Sequence, residues 1–194
     1  MNFPLSITKD EINALPLGEF RGKIELITTP SQLLEAIREL RDHPVVGFDT
    51  ETKPTFKKGQ FHHVALVQLA IDHKAFLVRL NHIGFHDQLK EFLEINEIVK
   101  VGVGLRDDLR ALHMLSSFNP ANFLDLNTEA KSFGILNEGA KNLTAMFLGF
   151  RISKAAQVSN WESPRLTDKQ IKYAATDAWI CHQIYLKWKQ IGLL

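Results

Sequence analysis

The sequence predicts an α/β fold, a mixed central β-sheet flanked by helices, and three observations predict it. Short apolar runs rich in β-branched residues alternate with stretches whose apolar positions recur at helical spacing, the pattern of a layered α/β domain. Two of these runs, Val64 to Ile71 and Ala75 to Val78, are separated only by the turn Asp72-His73-Lys74, so they read as an antiparallel hairpin. A third run, Pro44-Val45-Val46-Gly47-Phe48-Asp49-Thr50-Glu51, reads as a buried central strand that stops on two carboxylates. With 194 residues, 45% hydrophobic and 23% charged, the chain fits one domain with a substantial core.

In chain order, Thr8-Lys9-Asp10-Glu11 has the capping-box form and predicts a short helix over 9–15 before the Pro16-Leu17-Gly18 turn. Residues 1–22 are expected to be an N-terminal appendage to a domain over 23–194. Lys23 to Ile27 alternates at period two, as a half-exposed edge strand does. Thr29-Pro30-Ser31-Gln32 starts a helix, with Thr as N-cap, Pro at N1 and Gln at N3, and Leu33, Leu34, Ile37 and Leu40 form its buried stripe. After the central strand and the hairpin, a helix is expected around 85–96 and a strand over 98–103. The pattern turns helical from Leu105, with Leu105, Leu109 and Leu112 on one face. Phe123 to Leu126 reads as a last short strand and Ala140 to Phe147 as a short helix. Lys154 to Ser163 has no periodicity and reads as a long loop. A second clear capping box, Thr167 with Gln170, opens a final helix reaching about Gln190.

Composition excludes several classes of function. Basic and acidic residues number 23 and 22, so any attraction to nucleic acid must come from local loops and bound metal rather than from overall charge. One cysteine, Cys181, excludes an internal disulfide and a cysteine-cluster zinc site. No apolar run approaches a membrane span, and Met1-Asn2-Phe3-Pro4 lacks a signal-peptide pattern. The expectation is a soluble, cytoplasmic protein.

The informative residues are misplaced acids. Asp49 and Glu51 are two apart on a strand and point the same way; either the strand ends there with both acids solvated, or a cation lies between them. Asp108 falls on the apolar side of its helix, where it either complements the helix dipole or points into a site. On the final helix Tyr173, Asp177, Ile180, Cys181, Ile184 and Trp188 share one face, with Asp177 in its apolar middle, Tyr173 one turn before it, and no lysine or arginine on that face to offset it. Four inward-aimed carboxylates with no converging cation imply bound metal, and oxygen ligands favour Mg²⁺ or Mn²⁺ over zinc. The Val101-Gly102-Val103-Gly104 run is no nucleotide fingerprint, because its third glycine is missing and Asp107-Asp108 stand where phosphates would sit. The histidines show no ligand spacing.

Phe48-Asp49-Thr50-Glu51, Val101-Gly102-Val103-Gly104-Leu105-Arg106-Asp107-Asp108 and Tyr173-Ala174-Ala175-Thr176-Asp177-Ala178 resemble, in order and spacing, the three exonuclease motifs of the DEDD superfamily in its tyrosine-bearing subgroup, the group of the Werner-type and ribonuclease D-type domains. The resemblance covers about residues 23–192 and includes Val64 to Leu69 and Ser159-Asn160-Trp161. It implies an RNase H-like fold and 3′→5′ removal of nucleotides from DNA or RNA with a free 3′ end, using two divalent metal ions. Carried over, Asp49, Glu51 and Asp177 would ligate one metal, Asp49 would bridge to the second, Asp108 would help hold that second metal, and Tyr173 would orient the attacking water. Phe56, Lys57, Lys58, Lys154, Asn160 and Trp161 are candidate substrate contacts, with a solvated basic loop and, for Trp161, a core anchor as the structural alternatives. A non-catalytic nucleic-acid-binding or scaffolding module on the same fold is the competing function. The helical and helicase domains that accompany such domains in ribonuclease D and the Werner protein have no counterpart in these residues.

Overall fold

The computed structural model describes residues 3–57 and 59–194. Helix α1 (Lys9–Ala14) opens on the Thr8–Glu11 capping box, and strand β1 (Lys23–Ile27) follows. Helix α2 (Pro30–Leu40) carries the expected Thr29–Gln32 box with Pro30 in its first turn. The central strand β2 (Val45–Thr52) leads to β3 (Val64–Ala70) and β4 (Lys74–Arg79), then to α3 (Leu80–Ile83) and α4 (Asp87–Leu93). The rest runs β5 (Val99–Gly102), α5 (Leu105–His113), β6 (Phe123–Asp125), α6 (Leu126–Ser132), α7 (Ala140–Leu148) and α8 (Asp168–Gln190). Helices α3 and α6 were not legible in the sequence. The expected last strand stops one residue early because Asp125 caps α6, its side chain accepting from the Asn127 amide.

Among the described residues, six strands form one mixed sheet in the order β1-β4-β3-β2-β5-β6. Strands β2, β3 and β4 pair antiparallel, as the hairpin requires, while β1 joins β4 and β5 and β6 extend from β2 in parallel. Alternation along β2 divides its side chains between two cores. Val46 and Phe48 pack with Leu33, Ile37 and Leu40 of α2 and with Leu105 and Leu112 of α5. The other face, with Leu66, Ala70 and Leu77, meets Ala174, Ala175 and Ala178 of α8. The sheet is therefore covered on both sides, which suits its near-continuous apolar strands. Phe20 is buried in the α8-side cluster, so residues before β1 also touch the core. Among the described residues, no helix is long and apolar enough to cross a membrane.

The sheet and α8 come into close backbone contact at Gly47. A β-carbon there would lie 2.0 Å from the Ala178 carbonyl oxygen and 3.0 Å from the His182 amide nitrogen. Glycine inside a strand marks such backbone contact, and the small residues of α8 complete it. Gly47→Ala is expected to destabilise the fold by about 1–3 kcal/mol, since the obstruction is backbone that cannot rotate away. A thermal melt checks this, and an unchanged midpoint would show that α8 has room to retreat.

Candidate active site

Strand β2 ends at the carboxyl edge of its parallel pairing with β5, the edge where open α/β sheets bind ligands. Asp49 and Glu51 share the face toward α8, because Gly47, of the same parity, abuts Ala178. The β2–β3 register shifts between Glu51 and Thr52, an irregularity of the kind that re-aims side chains beside a site. Asp177 descends from α8, and carboxylate oxygens of Asp49, Glu51 and Asp177 all lie within 4.8 Å of one another. The fourth acid, Asp108, stands outside that group. It comes from α5 on the opposite face of the sheet, and its Oδ1 accepts the hydroxyl of Thr50, which lies between the two β2 acids in sequence.

The orientation of Asp108 depends on a residue that the sequence did not single out. Helix α5 follows Gly104, its N-cap residue in the left-handed region with φ 75°, which offers no side-chain cap. Asp125 supplies one from β6: its carboxylate accepts the amides of Gly104 at 3.0 Å and Leu105 at 2.9 Å, and of Asn127 at 2.9 Å. One carboxylate thus anchors the first turns of both α5 and α6.

The electrostatics are those of a site whose acids outweigh the positive charge near them. Burial raises the Asp49 carboxyl well above its usual range, and Asp177, Asp108 and Glu51 raise it further. Glu51 is pushed up to about 9, by burial first and then by Asp177 and Asp108. Burial lifts Asp177 to about 6, against the Tyr173 hydroxyl and the charge of Lys154, which both favour its ionised form. Asp108 also rises to about 6 through burial, opposed by its Thr50 hydrogen bond. The expectation of no converging cation is corrected here: the loop after α7 brings Lys154 toward Asp177, a long-range placement that periodicity along α8 could not reveal. Exposed Lys154 does not neutralise the group, since Asp49 and Glu51 stay raised. Three carboxylates this close, Glu51 buried and Asp49 and Asp177 half-buried, fit a hard divalent cation bound through oxygen.

Tyr173 faces Asp177 from one turn earlier on α8, and burial, then the Asp177 carboxylate, raise its hydroxyl far above the ordinary value. Trp161 lies 6.0 Å from it, ring centre to ring centre. Trp161 is 0% exposed, which overturns it as a surface contact: no face is left for a base, and it is the core alternative. The loop carrying it is tied down through Glu162, which bonds Lys53 Nζ at 3.1 Å and His62 Nδ1 at 2.9 Å. These bonds join that loop to the one following β2. There Phe56 is 83% and Phe61 85% exposed, and Lys57 is exposed, as are Lys154 and Asn160. Lys58 lies outside the described residues. A cavity of about 720 Å³ opens beside Tyr173, between residues 17–19, the 153–165 loop and the start of α8, and no member of the acid group lines it.

A family model described as 3′-5′ exonuclease matches residues 24–191. The chain belongs to the 3′-5′ exonuclease family. The bifunctional 3′-5′ exonuclease/ATP-dependent helicase WRN of Mus musculus is 34% identical over 188 residues, which cover 92% of this chain but only 13% of that protein. The exonuclease domain of Aedes aegypti Nibbler superimposes with a TM-score of 0.80 at 22% identity, covering 90% of this chain and 93% of that one. A Trypanosoma brucei RNase D in complex with RNA U12 gives 0.76 at 20% identity, covering 87% and 63%. These likenesses establish the RNase H-like fold.

The raised carboxyls carry a stability consequence. An acid whose folded pKa is raised stabilises the fold fully below the usual carboxylate range, and that contribution is lost as pH rises through about 6 for Asp177 and about 9 for Glu51. His182, buried and lowered to about 4 by its burial, acts oppositely as pH falls, so a variant must be compared with wild type at each pH. In EDTA, Asp177→Asn is expected to melt above wild type at pH 8 by about 2–8 °C, a relief of ~1–2 kcal/mol, and to converge with it toward pH 4. Equal midpoints at pH 8 would contradict a cost from burying the Asp177 charge beside Asp49 and Glu51.

Proposed function

We propose that this domain removes nucleotides one at a time from the 3′ end of DNA or RNA by metal-assisted phosphodiester hydrolysis. The observation that carries the reading is the grouping of Asp49, Glu51 and Asp177 within 4.8 Å, with Tyr173 one helical turn before Asp177. Asp49, Glu51 and Asp177 would hold a divalent cation, and Asp108 would serve a second. The two ions, Mg²⁺ or Mn²⁺, would supply charge that stabilises the attacking and leaving oxygens of an in-line displacement at phosphorus.

The chain's own groups divide the remaining work. Tyr173 stays a phenol at any physiological pH, because its hydroxyl is held above its ordinary value. It therefore orients a water by hydrogen bonding rather than removing its proton. Thr50 holds Asp108 on one side of the strand end, while α8 holds Asp177 on the other. Lys154 offers a positive charge beside Asp177 for a phosphate oxygen. Exposed Phe56 offers a stacking face and Lys57 and Asn160 polar groups for the strand leading to the scissile bond. The RNA named in the Trypanosoma structure and the exonuclease named in the mouse relative support a nucleic-acid substrate.

The same reading takes residues 23–194 as the exonuclease domain and 1–22 as an appendage. The family match over 24–191 supports that boundary, and Phe20, buried against α8, ties the appendage to the body. A reducing, cytoplasmic setting agrees with the single buried thiol of Cys181.

Digestion of a 5′-labelled RNA and a 3′-recessed DNA duplex, with Mg²⁺, Mn²⁺ or EDTA, tests the proposal. A ladder shortening from the 3′ end is expected, absent with EDTA and absent for Asp49→Ala and Asp177→Asn. Tyr173→Phe should lower kcat by about 10²–10⁴-fold. Full activity of Asp49→Ala would mean the site is elsewhere, and binding without cleavage by wild type would favour a scaffolding module.

A further inference from the structure

Gln68 lies on β3 directly across from Asp49 on β2. Directly opposed residues point to the same face of a sheet, with β-carbons about 4.5–5.5 Å apart, so the Gln68 side chain emerges beside the Asp49 carboxylate under α8. It is 0% exposed. Among the described residues neither its Nε2 nor its Oε1 has a hydrogen-bond partner.

The surroundings leave little choice of partner. Leu66 and Ala70 flank Gln68 on its own strand and face, Leu77 opposes it from β4, and Ala174, Ala175 and Ala178 pack in the same cluster. Across β2, its diagonal neighbours are Gly47 and Glu51, which pair with Ala70 and Leu66. Trp161 and Tyr173 also pack in this cluster, but of the polar groups on this face Asp49 is the one that register sets directly opposite Gln68. A buried, unpaired amide in an otherwise apolar layer needs a reason, and one recognised reason is a role at a site.

We propose that Gln68 is a positioning residue for Asp49, an inference that rests on the cation reading above. When Asp49 turns one oxygen to the cation, its other oxygen accepts the Gln68 Nε2–H. That bond fixes which oxygen faces the ion and restrains the carboxylate against rotation, the service that outer partners give to metal ligands. Gln68 itself touches neither the ion nor the substrate.

Gln68→Met keeps length and volume and removes the donor. The test titrates the whole chain with Mn²⁺ by calorimetry and follows thermal unfolding in EDTA. The expected result is Mn²⁺ affinity weaker by about 10–100-fold, with the EDTA melting midpoint equal to or above that of wild type, since an orphaned amide has been replaced by an apolar group. A merely structural glutamine would give the opposite pair. Affinity within about threefold of wild type, well short of that loss, or affinity and midpoint falling together, overturns the assignment. Gln68→Leu takes the same test if Gln68→Met does not fold. Asp177→Asn tells this failure from that of the cation reading: in the latter case wild type, Asp177→Asn and Gln68→Met bind Mn²⁺ alike or not at all, and the positioning role falls with it.

Discussion

The backbone contact between β2 and α8 at Gly47 is the constraint on which the site depends. With no β-carbon on Gly47 and only methyl groups on Ala174, Ala175 and Ala178, the helix lies against the strand itself. The distance from Asp177 to Asp49 and Glu51 follows directly. A larger residue at the crossing would lift the helix, and three carboxylates that now share a space of 4.8 Å would separate. A core-packing detail two residues upstream of Asp49 thereby sets the electrostatics of the site.

That closeness opposes stability. Burial raises Asp49, Glu51, Asp108 and Asp177, and the charges of Asp177 and Asp108 raise Asp49 and Glu51 further. The apolar cores above and below the sheet hold the acids in place regardless, drawing on the non-directional burial of residues such as Phe48, Leu69 and Trp188. Bound cations would reverse the sign of the repulsion and tie ligand binding to the stability of the same helix–strand contact. The buried amide of Gln68 belongs to this pattern: a polar group without a partner among the described residues, directly across the sheet from Asp49.

Support for the site reaches it from both faces of the sheet. Asp125 anchors the start of α5 and so the reach of Asp108, and Trp161 backs Tyr173. Glu162 joins the loop holding Trp161 to the loop that begins just after the β2 acids. Each link is a polar bond or ring contact between different elements or loops.

What the sequence determined by itself is whatever local spacing controls. The capping boxes at Thr8, Thr29 and Thr167 start their helices as read, because a cap and its partner are three residues apart. Asp49 with Glu51 at strand period and Tyr173 with Asp177 at helical period were placed on common faces for the same reason. Only the tertiary structure decided what lies opposite those faces. Gly47 gains its meaning from Ala178, Gln68 from Asp49, Asp125 from Gly104, and Lys154 from Asp177. Trp161 is core rather than surface, packed in the cluster that holds Ala174, Ala175 and Ala178 of α8, and Asp108 fell outside the tight group because it approaches from the other side of the sheet. Periodicity says which way a side chain points along its own element. The partner it meets there is set by packing between elements, which no local pattern encodes.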